Sequence, residues 1–250
     1  MKQTILQHRS IRKYKPDPIP TSTLSQILEA GTRASTTGNM QVYSMIVTTD
    51  PVIKQKLWET HFKQNMVLEA PVHITFCADF NRFSKWCRYR EAEPGYDNFL
   101  SFFTAAIDAL LVSENVALAA EEQGLGICYL GTITYMSKRF SDILQLPNLV
   151  VPVASMVMGI PAEDPGLTDR LPLEAVIHNE VYRDYSPADI DKFYAEKENL
   201  PANRKFVEEN KKKTLAQVFT DVRYTEKDNR FFSREFLNFI QEKGFMNNEG

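Results

Sequence analysis

Apolar residues recur at helical spacing in Leu24, Ile27 and Leu28, which predicts a helix opening at Thr21 or Ser22 and ending between Gly31 and Arg33. Ahead of it, residues 1–8 are expected to form a short helix, and Pro16, Pro18 and Pro20 force an extended passage. Residues 43–49 read as a strand, about 52–61 as a helix, and 72–78, opening after Pro71, as a β-rich strand. The strongest element is a helix over 101–123, where Phe102, Ala105, Ala106, Ala109, Leu110, Val112, Val116, Ala117 and Ala120 make a wide apolar surface and Gly124 supplies the stop. A helix apolar on most sides must be buried, centrally or against a partner subunit. Residues 126–131 read as a short buried strand or strand end and 150–159 as the last clear strand. Helices alternating with strands mark a mixed α/β or α+β architecture.

After Pro161 the chain turns polar. Pro165, Pro172, Pro187 and Pro201 separate short pieces, and the last 60 or so residues mix charges with spaced aromatics. That composition suits an arm rather than a second domain with its own core. With 250 residues, 43% hydrophobic and 24% charged, the chain can bury a core of ordinary size. A net charge of -3 argues against nucleic-acid binding through the whole surface. Cys77, Cys87 and Cys128 form no CxxC pair, and no apolar leader or uninterrupted membrane-length apolar run is seen, so a soluble, cytoplasmic protein with reduced thiols is expected.

Four segments could carry chemistry. In an extended chain His8, Ser10 and Arg12 face one way, a set suited to a phosphate; a solvated basic N-terminus or a weak nucleic-acid contact accounts for the same residues. Ser35-Thr36-Thr37-Gly38-Asn39-Met40-Gln41 could hydrogen-bond a polar heterocycle, or be a plain polar loop. Gly124-Leu125-Gly126 with Tyr129-Leu130-Gly131 is no dinucleotide fingerprint, because GxGxxG is absent and the glycines follow a helix; a strand end of this kind could still let backbone approach a flat ring. Arg170 sits in the proline-bounded Asp169-Arg170-Leu171-Pro172. His8, His61, His73 and His178 are scattered without a metal pattern, and His73 reads as a hydrogen-bonded structural residue. No GxSxG, P-loop or EF-hand loop is present, so the chemistry is expected to belong to an organic cofactor.

In this order the four segments resemble the nitroreductase family, in particular its larger NADPH-dependent oxygen-insensitive nitroreductases and related flavin reductases. The resemblance spans roughly residues 3 to 183 and includes Phe76-Cys77-Ala78-Asp79-Phe80-Asn81-Arg82. It implies an α+β fold with a central, mainly antiparallel sheet flanked by helices, in an intertwined homodimer with two FMN sites at the interface. The apolar helix over 101–123 would be a main dimer contact. Residues 1–185 would form the FMN-binding core and 186–250 an arm of the same domain wrapping the partner.

Carried over by position, the resemblance implies that His8, Ser10 and Arg170 hold the FMN phosphate and that Arg12 lies near the ribityl chain and the N1/O2 edge of the ring. Thr36, Thr37 and Asn39 would line ring or phosphate, and Gln64 would bond the pyrimidine edge. Tyr129, Leu130 and Gly131 would cover the ring face and offer backbone donors. The relatives' Lys-x-Arg-Leu-Pro has Thr168 at the lysine position, a missing cation for which Arg9 could compensate. Arg204, Lys205 and Lys211-Lys212-Lys213 could meet the 2′-phosphate of NADPH or be a solvated face. The implied reaction is ping-pong transfer of hydride from NAD(P)H to nitroaromatics, quinones or flavins, with no essential protein acid or base, no metal, and no nucleic-acid or membrane partner. The alternatives are dehalogenation or dehydrogenation of a specific metabolite on the same fold and cofactor, and a non-enzymatic binding module.

Overall fold

The computed structural model describes residues 3–248; residues 1 and 2 of the expected first helix and 249 and 250 of the expected arm lie outside the described residues. Strands β1 (Tyr43–Thr48), β2 (Val72–Asp79), β3 (Gly126–Tyr129) and β4 (Val150–Gly159) form one sheet in the order β1-β2-β4-β3, every neighbouring pair antiparallel. Two-residue periodicity gives β2 two different faces. Val72, Ile74 and Phe76 join one apolar cluster, while His73 and Thr75 bring polar groups to the other side. All eight residues of β2 are buried, which identifies it as a central strand.

Helix α6 (Phe99–Glu122) lies in that first cluster through Ala109, Val112, Val116, Ala117 and Ala120, with α2 (Thr21–Gly31) packed on it. Val112 and Val116 have no exposed surface, and burying each contributes about 1.5–3 kcal/mol. A Cβ at Gly31 would overlap the Val116 side chain, so glycine sets the close approach of the two helices. Asn98 caps α6, its side chain accepting from Ser101 N at 3.0 Å, and Gly124, at φ +76°, ends the helical path where a side chain would be strained. α6 is long and apolar enough to cross a membrane, with mean hydropathy 1.5 in its most apolar window, yet half of that window is buried within the chain.

Several expectations need correcting. Pro20, not Thr21 or Ser22, occupies the N-cap of α2, and no side chain caps it. The first helix is a single turn, α1 (Gln3–Leu6). Helices α3 (Pro51–Thr60), α4 (Met66–Glu69), α5 (Asn81–Arg88), α7 (Thr132–Tyr135) and α8 (Ser137–Leu144) complete the first part of the chain.

The chain divides into two compact units, one comprising residues up to Gly166 and again from Phe232, the other Leu167–Phe231. The second contains α9 (Pro187–Asn199), α10 (Pro201–Glu209) and the single-turn α11 (Leu215–Val218). α9 opens on a capping box in which the Ser186 hydroxyl and the Asp189 carboxylate satisfy each other's backbone N–H. α12 (Glu226–Glu242) begins in this unit and ends in the first, where Phe239, Ile240 and Phe245 are buried with Val42, Ala78 and Phe80. The compositional boundary at 186 is therefore not a structural one: residues 232–248 belong with the core of their own chain. Apolar residues spaced through a strongly charged helix conceal that return.

Candidate functional site

The basic N-terminal segment runs beside β3. Ile11 N donates to Ile127 O at 2.8 Å and Ser10 bridges to Ile127 in parallel. A Cβ on Gly126 would come within 2.6 Å of Ile11, so this approach needs glycine. His8 is held by Glu121 of α6, Nδ1 to Oε1 at 2.8 Å. Burial raises the Glu121 carboxyl above the ordinary range, with the charge of His8 acting in opposition. Arg9 lies 3.0 Å from Asp164 Oδ1. The Ser10 hydroxyl interacts with Cys128, whose thiol burial pushes upward. Arg12 gives its backbone N–H to Glu163 at 2.8 Å, and its exposed guanidinium has no ion-pair partner among the described residues.

The loop from Thr36 to Val42 is anchored to α6 by a residue that the motifs did not reveal. Asp108, 1% exposed, accepts from Thr37 N at 2.9 Å and from Val42 N at 3.4 Å. Between those anchors Gly38, Asn39 and Gln41 all have φ of 54–56°. For the non-glycine residues the left-handed region costs roughly 1 kcal/mol each, so the turn depends on its anchors. Thr37 thus spends its N–H on the scaffold.

The strand end at Tyr129–Gly131 departs in part from expectation. Leu130 is 3% exposed, its side chain in the core and its N–H given to Ser155 O at 2.9 Å, so it can neither cover a ring nor offer a donor. The Tyr129 hydroxyl donates to Ser113 Oγ on α6 at 3.1 Å. Gly131 is different: it is exposed, and nothing lies within 4 Å of where its Cβ would sit. Gln64 follows two successive left-handed residues, Phe62 and Lys63, and its amide donates to His61 O at 3.1 Å.

Three polar residues of the largely apolar α6, Asp108, Ser113 and Glu121, hold the polar loop, Tyr129 and His8 respectively. Along α6, Asp108 and Glu121 are about 20 Å apart at the helical rise. Three of the four segments are thereby fixed to one rod. Arg170 belongs to the second unit, where its guanidinium donates to Thr168 Oγ1 at 2.7 Å. In that unit Lys212 pairs with Asp221 at 2.9 Å and Lys205 lies 3.7 Å from Glu209, so part of the basic cluster is neutralised locally.

The donor set suits a flavin mononucleotide. Arg12 brings a cation without an ion-pair partner among the described residues, Ser10 and the Thr36–Thr37 hydroxyls bring short polar groups, and the open face at Gly131 leaves room for a flat ring close to backbone. A cleft of about 170 Å³ beside Arg9, Glu121 and Gly126 is smaller than a usual cofactor pocket, and does not by itself house a mononucleotide.

The fold defines a class: an α+β protein built on a four-stranded antiparallel sheet, with polar loops tied to one central helix. A model of the nitroreductase family matches residues 5–160. An NADPH-dependent oxidoreductase of Staphylococcus aureus (strain USA300) is 36% identical over 182 residues, covering 71% of this chain and 72% of its own. Among solved structures, a Bacteroides fragilis protein named only provisionally as an oxidoreductase shares 52% identity at a TM-score of 0.97, over 98% of this chain and 100% of that one. The NfrA1 nitroreductase of B. subtilis superimposes at a TM-score of 0.85 with 27% identity, over 98% of this chain and 99% of its own. The chain belongs to the nitroreductase family, and its α+β fold with a central antiparallel sheet is the one the resemblance implied.

Proposed function

We propose that this protein is a cytoplasmic, homodimeric oxidoreductase that uses FMN to pass reducing equivalents from NADPH to nitroaromatics, quinones or flavins. The observation that carries the reading is the exposed Arg12 guanidinium, without an ion-pair partner among the described residues, presented by a family-specific motif that is tied to β3, which ends two residues before Gly131. FMN, when bound, supplies hydride acceptance and two-electron donation. Arg12 would favour negative charge at the pyrimidine edge, Ser10 and the 36–39 loop would hold phosphate and ring, and Gly131 would leave a face open for stacking. His8 would contribute to the phosphate through its second ring nitrogen, since Nδ1 is committed to Glu121. Arg170 is assigned to the phosphate by family pattern alone. In this scheme protons come from solvent, so orientation and electrostatics are the protein's contribution.

Support for the dimer comes from α6, where Leu100, Phe103, Ile107, Leu110 and Leu111 are 40–71% exposed at helical spacing. An apolar stripe of this length, continuous with the helix that holds the site, suits the same helix of a second copy. The NADPH preference follows the name of the Staphylococcus aureus relative. Steady-state kinetics with NADPH and a quinone test the scheme: parallel double-reciprocal lines are expected, and intersecting lines would exclude alternating use of one slot.

A further inference from the structure

We propose that His61 is a positioning residue that locks together the two chain segments flanking the ring site, 61–64 and 129–132. The lock itself stands on geometry; its role toward the ring rests on the FMN reading above.

His61 is fully buried at the end of α3. Its carbonyl accepts the Gln64 side-chain amide at 3.1 Å. Its ring reaches the other segment, with Nδ1 2.6 Å from Thr132 Oγ1, one residue beyond Gly131. On the far side its Nε2 lies 3.0 Å from His73 Nε2 and 3.4 Å from Ser155 Oγ. Ser155 also contacts Leu130, its hydroxyl donating to Leu130 O at 3.3 Å. Residues 130 and 132 are thus held from one buried point, on the strand pair that forms the sheet centre.

The held conformation needs holding. Phe62 and Lys63 have φ of 54° and 58°, and two successive left-handed residues other than glycine persist only where their surroundings over-determine them. Phe62 is 52% exposed, so its own side chain does not supply that restraint. Backbone bonds from Lys63 N to Trp58 O at 2.9 Å and from Gln64 N to His61 O at 3.3 Å close the turn, and the His61 imidazole, in the residue before, ties it to Thr132.

Both histidines are uncharged at ordinary pH, because burial lowers His61 to about 2 and His73 to about 3. Each ring therefore has one N–H. His73 Nδ1 has no hydrogen-bond partner among the described residues, and a buried N–H is rarely left unpaired, whereas a lone pair is tolerated more often. The proton on His73 accordingly sits at Nε2 and points to His61 Nε2. His61 then carries its proton on Nδ1 and donates it to Thr132 Oγ1. Thr132 accepts, and its own O–H remains unspent on the half-buried side chain beside Gly131.

The test uses Thr132→Val, which keeps shape and removes the acceptor, and Thr132→Ser, which keeps the acceptor. Amide hydrogen exchange is followed in the full-length, flavin-free protein. Thr132→Val should speed exchange at 62–64, far away in sequence, about tenfold (about 1.4 kcal/mol), while Thr132→Ser stays within about twofold of the wild type. Unchanged exchange at 62–64 in Thr132→Val, or equal loosening in both variants, overturns the lock. FMN is then titrated by quenching of its fluorescence. An affinity loss of about tenfold in Thr132→Val, with Thr132→Ser unaffected, supports the role toward the ring; equal affinities in all three proteins overturn it. A wild type that takes up no FMN defeats the function proposed above and with it the role toward the ring, while the exchange result still decides the lock.

Discussion

Removing the carboxylate of Asp108 should loosen the polar loop and lower the stability of the whole chain. The side chain is 1% exposed and its two oxygens accept from Thr37 N at 2.9 Å and Val42 N at 3.4 Å. A hydrogen bond to a charged acceptor contributes about 1.5–3 kcal/mol, and the longer contact less. Asp108→Ala also leaves two backbone donors without their acceptor, so a total loss of about 3 kcal/mol is expected. Asp108→Asn keeps one carbonyl oxygen but turns its amide NH2, a donor, toward the second backbone donor, and should cost about half as much. Urea unfolding at one fixed protein concentration reads the effect, since association would otherwise shift the midpoint. With a slope of about 3 kcal/mol/M, Asp108→Ala should move the midpoint by about 1 M. If both variants unfold within about 0.3 M of the wild type, Asp108 is not the anchor of this loop.

Three further outcomes follow from the same structure. Arg12→Ala should weaken FMN binding about tenfold or more (roughly one charge-assisted contact), with partial recovery in Arg12→Lys; undiminished binding and turnover would remove the guanidinium from the site. Leu110→Glu places a charge in the exposed stripe of α6 and should shift the protein from dimer to monomer in sedimentation velocity, whereas an unchanged sedimentation coefficient would put the interface elsewhere. For pH, the folded values of His61 and His73, about 2 and about 3, lie below the unfolded value near 6.5, so the unfolded chain binds the extra protons. Stability is therefore complete above pH ~6.5 and falls by about 1.4 kcal/mol per pH unit per histidine as the pH drops from there toward 3. Unfolding free energies measured at pH 7.5 and pH 5.5 should differ by about 2–3 kcal/mol, and a flat profile would contradict the burial of the pair as neutral rings.

The strands and the central helix were legible because their patterns are strong. β2 is a β-rich run after a proline, and α6 combines a broad apolar surface with a glycine stop. α5, with Lys85 and Arg88 in its last turn, and α12, with exposed Phe231 and buried Phe239 on the same charged helix, lack such a contrast and were not visible. The same distinction holds at the site. His8, Ser10 and Arg12 stand together in sequence, so their chemistry could be read directly. Asp108 and His61 act on segments distant from them along the chain, and no short motif contains both ends of such a contact. A signal for Asp108 did exist, a lone acid in the apolar middle of a buried helix, where an unsatisfied charge would be costly. For His61 the sequence offers only an isolated histidine after a helix. Leu130 shows the opposite error: its place in a motif suggested exposure, while its position beside β4 spends its N–H on Ser155.

An absorbance spectrum of the purified protein, reconstituted with FMN, is to be recorded before and after anaerobic addition of NADPH. A protein-bound flavin spectrum that bleaches on NADPH and returns when a quinone is admitted is expected. A protein that takes up no FMN, or whose bound flavin stays oxidised in NADPH, would contradict the proposed function.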